Sequence, residues 1–340
     1  MKGKDMPKKM SYKDAGVDIA AGEEAVDRIK SMVRSTFTPH VLTDLGKFGG
    51  FYAPDLSGYR EPVLVSSIDG VGTKLKVAFL VGKHDSVGED LVNHCVNDIL
   101  VGGARPLFFL DYLGTGKLEP GVVEEIVTGM VRGCRRVNCS LVGGEMAEMP
   151  GFYPEGEYDV AGCIVGIVEK NRIIDGRSIR KGDVLIGLTS DGLHTNGYSL
   201  ARKVLLDKAK LKVNTYVEEL GMTLGEELLR VHRCYFSSVH PLLDKFEIKG
   251  MSHVTGGGIV GNTKRILPEG LSLDIDWNAW TVPPIFKLIQ EKGNVPDEEM
   301  RRTFNLGIGF VLILDEKCVD RVVQKIVKRE VYPIITGKVV

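Results

Sequence analysis

Apolar residues recur along the chain in two rhythms. Short aliphatic and β-branched runs bounded by glycine, proline or charge occupy residues 62–68, 107–113, 140–144, 159–168, 184–189, 307–314 and 333–340, a pattern that predicts strands. Apolar positions three and four apart predict helices over 22–36 (Val26, Ile29, Val33), 88–101 (Leu91, Val92, Cys95, Ile99, Leu100) and 122–137 (Val123, Ile126, Val127, Met130, Cys134). Further helices are expected from the turn at 190–200 through 206, and over 224–236, 259–266, 283–292 and 317–329. Residues 159–168 are so uniformly apolar and small that they predict a central strand buried on both faces. Each half holds several strands and a few helices without strict alternation, so the expected class is α+β, two α/β domains each with a mixed sheet flanked by helices. The polar stretch 174–182 is the expected boundary, giving domains 1–173 and 174–340. Residues 1–9 are expected to be mobile, and 46–59, with Gly46, Gly49, Gly50 and Gly58, to form a flexible loop, a lid or a connector.

The candidate chemistry gathers where strands end. The run 62–68 delivers Asp69, then Gly70, Val71, Gly72, Thr73 and Lys74, which brings backbone N–H groups and a cation toward a phosphate. It is not a P-loop, because the first glycine and the terminal Gly-Lys-Ser/Thr are missing; an isolated Asp-Gly turn is the plainer alternative. The helix over 88–101 carries a polar stripe of Asp90, Asn93, His94, Asn97 and Asp98 without the lysine–glutamate pairs of an ordinary wet face. A second acid, Glu145, is expected at a strand end behind Gly143 and Gly144. Ser190, Asp191, His194, Thr195 and Asn196 sit at a strand–turn–helix junction that suits a substrate cradle or a plain helix cap. Gly256, Gly258 and Gly261 have the dinucleotide spacing, but no long strand leads in and Asp274 and Asp276 are poorly placed, which leaves a small-anion site. Lys30, beside the apolar stripe of its helix, reads from spacing alone as a solvated lysine.

Composition narrows the field. Forty-four basic against 45 acidic residues leave a charge of -1, so no basic field invites nucleic acid or anionic lipid. No segment approaches a membrane span and the lysine-rich start lacks a signal core, which predicts a soluble cytoplasmic protein. Six scattered cysteines form no Cys-x-x-Cys pair and seven histidines no helix-spaced pair, arguing against zinc and a disulfide framework and for reduced thiols.

Residues 11–17 (Ser-Tyr-Lys-Asp-Ala-Gly-Val), 69–74, the Asp-x4-Gly-Ala-x-Pro run from Asp98 to Pro106, 143–149, 190–200 and 253–258 together resemble the phosphoribosylformylglycinamidine cyclo-ligase family, the aminoimidazole ribonucleotide synthetases. The resemblance runs in order over essentially the whole chain. The Asp-x4-Gly-Ala-x-Pro run alone fits the wider ATP-binding superfamily; the opening segment and Asn-Gly-Tyr-Ser-Leu select the cyclo-ligase. Selenophosphate synthetase needs a reactive cysteine that 46–59 lacks, the hydrogenase-maturation relative a C-terminal cysteine, and formylglycinamidine synthase a far longer chain. Thiamine monophosphate kinase is expected to carry more aspartates near the first strand. A nucleotide-binding scaffold without catalysis is the remaining alternative.

The resemblance implies a homodimer with a β-barrel at its interface, ATP in a long cleft there, and the fifth step of purine synthesis. In that step formylglycinamidine ribonucleotide and ATP give aminoimidazole ribonucleotide, ADP and phosphate. It implies Mg²⁺ on Asp69, Asp98 and Glu145, and ATP phosphates on Gly70, Gly72, Thr73, Lys74 and Asn97. Lys30 and His253, with Asp69, become the expected catalytic groups, as charge stabilisers or proton shuttles. Ser190, Asp191, Asn196 and Gly256, Gly257 and Gly258 are expected to hold the ribonucleotide, the glycines its 5′-phosphate.

Overall fold

The computed structural model describes residues 10–326 and 331–340. Residues 1–9 and 327–330, the latter ending the last expected helix, lie outside the described residues.

The first half is a four-stranded sheet of β1 (Pro62–Gly70), β2 (Arg105–Thr115), β3 (Ser140–Glu148) and β4 (Tyr158–Glu169), in the order β1-β4-β2-β3. Only β2 and β3 run parallel; β4 is antiparallel to both neighbours. Helices α1 (Ile19–Arg34), α3 (Asp85–Leu100) and α4 (Pro120–Arg136) cover one face, with the short α2 (Leu75–Val81) leading into α3. Gly88 and Gly129 let α3 and α4 touch: a Cβ on either would collide with the other helix's backbone.

The opposite face of this sheet has no cover. Leu64 and Ile68 are 63% and 72% exposed, and Tyr112 38%. β4 is therefore central but enclosed on one face only, because Ala161, Cys163 and Val165 share the open side with those residues. Neither sheet closes into a barrel within one chain.

The second half holds β5 (Val184–Thr189), a small hairpin of β6 (Tyr216–Val217) and β7 (Met222–Thr223), β8 (Gly250–His253), β9 (Leu273–Ile275), β10 (Ile308–Leu314) and β11 (Pro333–Val339). The main sheet is antiparallel throughout, ordered β8-β10-β5-β11-β9. Helices α5 (Tyr198–Arg202), α6 (Leu224–Leu228), α7 (Phe236–Val239), α8 (Gly258–Thr263), α9 (Pro284–Gly293), α10 (Asp297–Thr303) and α11 (Val319–Ile326) surround it. One apolar cluster runs without a break from Val92 and Phe109 in the first half to Leu228, Phe286 and Phe304 in the second.

One expected helix ends early because of what its chain meets. The helix expected over 224–236 stops at Leu228, and residues 229–235 cross the flank of α3 without helical structure. There the polar stripe of α3 takes the place of their helical partners. Asp90 accepts from the His232 N–H at 2.6 Å, Asn93 donates to the His232 carbonyl at 2.7 Å, and Asn97 bonds the Arg233 carbonyl at 2.8 Å and the Tyr235 N–H at 2.9 Å. Asp90, Asn93 and Asn97 are thus a dry seam that docks the second half onto α3.

Candidate active site

Two of the three carboxylates expected to hold metal, Asp69 and Asp98, lie at opposite ends of one hydrogen-bonded chain. Asp69, the penultimate residue of β1, contacts His94 Nε2 at 2.8 Å; Asp98, on the last turn of α3, contacts His253 Nδ1 at 2.8 Å. Between them, His94 Nδ1 meets Thr195 Oγ1 at 2.8 Å, Thr195 meets His232 Nδ1 at 3.2 Å, and His232 Nε2 meets His253 Nε2 at 2.9 Å. All four of these linking residues are buried. The elements explain the meeting: His94 and Asp98 are four apart on α3, His253 ends β8, and Thr195 follows β5.

Counting hydrogens fixes what this chain carries. Its five contacts need five hydrogens, while three neutral imidazoles and one hydroxyl supply four, so with both carboxylates ionised the chain holds one further proton. Burial disfavours charge on His94, but Asp69 and Asp98 outweigh it and raise its pKa. Burial lowers His253, and Asp98 only partly offsets this. Burial thus weighs against the charged form more at His253 than at His94. Burial works against the charge of both acids too, yet the contacts with His94 and His253 keep Asp69 and Asp98 below the usual carboxylate range. Both carboxylates remain partly open to solvent, at 41% and 27%. Ionised, half-open oxygens of this kind suit a hard divalent cation. His194, His232 and His253 also cluster, but His194 stacks on His232 at 4.1 Å and 21°, so the two rings do not converge in plane on one ion.

Other expected residues fall elsewhere. Lys74 is fully buried and does not face a phosphate: its ammonium meets Asp90 at 2.7 Å, the Arg230 carbonyl at 2.6 Å and the His194 carbonyl at 3.2 Å, which engages all three hydrogens. Asn97 is likewise fully engaged in the seam and is withdrawn as a phosphate contact. Glu145 lies inside β3 rather than at its end, opposite Tyr112. It stands three strands from β1, about 14 Å at ordinary strand spacing, so within one chain it does not share an ion with Asp69. Gly70 donates its N–H to Asp69 at 2.7 Å, Gly72 takes a left-handed φ of 67°, and exposed Thr73 touches Ser199 of the second half at 3.0 Å.

Glu145 instead lines a cavity of about 340 Å³ between α1, α4 and β2–β3, roofed by residues 44–50. Its walls are apolar (Val26, Ile29, Val127), and Asp111 sits at its base, pushed up to about 7 by burial. Gly144 must be glycine there, since a Cβ would strike the Asp111 carboxyl. Lys30 lies half-buried on α1, near Asp44 at the loop's start, and Arg34 ties Asp44 to the helix. Lys30 and His253 thus lie on separate elements, α1 in the first half and β8 in the second.

In the second half Ser190 donates to Asn305 at 2.9 Å and Asp191 pairs with Arg233 at 2.7 Å. Asn196 and Gly256 adjoin: a Cβ on the glycine would lie 3.5 Å from Asn196 Oδ1. Gly257 and Gly258 direct their N–H groups to the Arg302 and Thr255 carbonyls, which leaves them unavailable to an anion.

Comparison with known proteins decides which of the ATP-binding relatives this site belongs to. The family model for the N-terminal domain of AIR synthase related proteins matches residues 58–168, and that for the C-terminal domain 180–340. The phosphoribosylformylglycinamidine cyclo-ligase of Carboxydothermus hydrogenoformans is 56% identical over 93% of this chain and 92% of its own. The chain belongs to the phosphoribosylformylglycinamidine cyclo-ligase family. The cyclo-ligase of Acetivibrio thermocellus is 52% identical over 97% of both chains. Among solved structures, thiamine-monophosphate kinase from Stenotrophomonas maltophilia aligns with a TM-score of 0.70 at 14% identity over 93% of each chain. E. coli HypE aligns at 0.66 and 17% over 92% of this chain and 90% of its own. At those identities the likeness shows a shared fold, which the cyclo-ligase family has in common with them.

Proposed function

We propose that the chain closes the imidazole ring of aminoimidazole ribonucleotide from formylglycinamidine ribonucleotide, using ATP and releasing ADP and phosphate. Full-length identity to cyclo-ligases carries this reading, and the two-ended acid–histidine chain supports it. An amide oxygen is a poor leaving group. ATP phosphorylates the formamide oxygen, the amidine nitrogen attacks that carbon, and phosphate leaves as the ring closes, so no protein nucleophile is needed. The ring nitrogen must lose a proton, and we assign its removal to the chain of Asp98, His253 and His232, in which His253 bonds one neighbour through each ring nitrogen.

Asp69 and Asp98 are the residues suited to hold Mg²⁺, which supplies charge neutralisation for the transferring phosphoryl group. Glu145 stands further along the same sheet, where a bound triphosphate can reach it. The cavity under residues 44–50 is the place for the nucleotide's base, its lining being largely apolar with Asp111 and Glu145 as the polar groups on the sheet side. Residues 190–196 and 256–258 form the ribonucleotide side. The uncovered face with Leu64, Ile68 and Tyr112 takes a second copy of the chain, two such sheets closing into the barrel of a homodimer.

The direct test is Mg²⁺-dependent ADP release that requires formylglycinamidine ribonucleotide. ATP binding without turnover in its presence would refute the enzyme reading and leave a scaffold.

A further inference from the structure

The loop 190–197 and the turn 256–258, the two pieces assigned above to the ribonucleotide, adjoin at Asn196 and Gly256, and both are gripped by one segment, 301–307. Asn305, 3% exposed, stands at its centre. Its Oδ1 accepts from Ser190 Oγ at 2.9 Å and from the Gly307 N–H at 2.8 Å, and its Nδ2 donates to the Gly192 carbonyl at 3.0 Å. The Ser190 N–H in turn donates to the Gly307 carbonyl at 2.9 Å. At the far end of the loop the Phe304 ring lies where a side chain on Gly197 would be. On the other side the Arg302 carbonyl accepts from the Gly257 N–H at 2.9 Å, and Gly258 packs against the Arg301 carbonyl so closely that a Cβ would overlap it.

The backbone is bent to make this grip. Leu306 has a φ of 51°, unusual for a branched residue, and Gly307 follows at 101°. The bend is clamped from outside by Trp280 Nε1, which donates to the Leu306 carbonyl at 2.9 Å. A left-handed leucine held by buried polar bonds is strain that the surroundings over-determine, and such strain collects where a site needs fixed geometry.

We propose that Asn305 is the positioning residue of the ribonucleotide site, setting loop 190–197 against turn 256–258 through segment 301–307. It touches no reacting atom. The inference rests on the ribonucleotide assignment made above, and extends it to a residue that contacts neither substrate. No residue of segment 301–307 lines the cavity under 44–50 that was assigned to the base.

Asn305→Asp tests it, because the acid keeps the acceptor for Ser190 and Gly307 but turns an oxygen toward the Gly192 carbonyl. The expected result is a rise of about 10- to 100-fold in KM for formylglycinamidine ribonucleotide, the scale on which a misplaced binding group acts. KM for ATP should stay within about twofold. A general loss of structure would move both constants together, and that outcome overturns the proposal. Asn305→Ser, smaller and uncharged, replaces the aspartate variant should it not fold. Asn196→Ala separates the two layers of the argument. If it raises the ribonucleotide KM while neither Asn305 variant does, positioning by Asn305 is overturned and the substrate assignment stands. If none of the three changes that constant, loop 190–197 is not the substrate site and both readings fall.

Discussion

Replacing Lys74 by methionine distinguishes a structural lysine from a phosphate ligand. The side chain is about the same length, but the variant leaves Asp90, itself fully buried, without its cation. Breaking a buried pair by deleting one partner costs about 3–5 kcal/mol, and the orphaned Arg230 and His194 carbonyls add about 1–3 kcal/mol. At roughly 2 °C per kcal/mol for a chain somewhat longer than the usual calibration set, the melting temperature should fall on the order of 10 °C. The double variant Lys74→Met/Asp90→Asn removes the stranded charge and keeps an acceptor for the His232 N–H, so it should regain most of the loss. Thermal unfolding followed by circular dichroism, beside ATP kinetics on the folded fraction, is the assay. If Lys74→Met melted within about 2 °C of the parent while KM for ATP rose, the buried-tie reasoning would be refuted and the phosphate role restored.

Three shorter predictions follow from other parts of the site. Burial raises Asp111 from 3.8 to about 7, so the folded chain binds this proton more tightly than the unfolded one: its penalty is absent below pH 4 and grows as pH rises toward 7. Asp111→Asn should therefore gain stability over the parent at pH 8, by at most about 4 kcal/mol and less where cavity water screens the carboxylate, and gain nothing at pH 4; equal gains at both would contradict the burial argument. His253→Asn should lower turnover by about 10²–10⁴-fold and remove a limb of the pH–rate profile, and an unchanged profile would count against a proton-transfer role. Ile68→Glu, on the open sheet face, should convert a dimer to monomer by light scattering without unfolding the chain; a dimer that persists would place the interface elsewhere.

Much of the fold is written in local periodicity. The strand that carries Asp69 and the helix α3 that carries Asp98 follow directly from apolar spacing, and one hydrogen-bonded chain that includes His253 links the two acids. What local pattern does not show is which polar side chains meet across the two halves. Lys74 follows Gly72 and Thr73 like a phosphate-binding lysine, yet its three partners lie at positions 90, 194 and 230. His232 and Thr195 were missed as relay members for the same reason. His232 sits in a stretch whose Leu228, Leu229 and Cys234 imitate a helix, although that stretch is held open by the side chains of α3. His94 was legible in part, since it shares a helical stripe with Asp90 and Asp98, and its spacing from Asp98 was the available signal. Asn305 carries no motif at all; only the left-handed Leu306 beside it marks the place.

Asp69 and Asp98 are the carboxylates proposed to meet the cation and the phosphates. A crystal structure with a non-hydrolysable ATP analogue and Mn²⁺, read by anomalous scattering, measures this directly. Manganese peaks against Asp69 and Asp98, with phosphates over residues 70–73 and Lys74 still bound to Asp90, are the predicted result. Manganese and triphosphate bound away from both aspartates would contradict it.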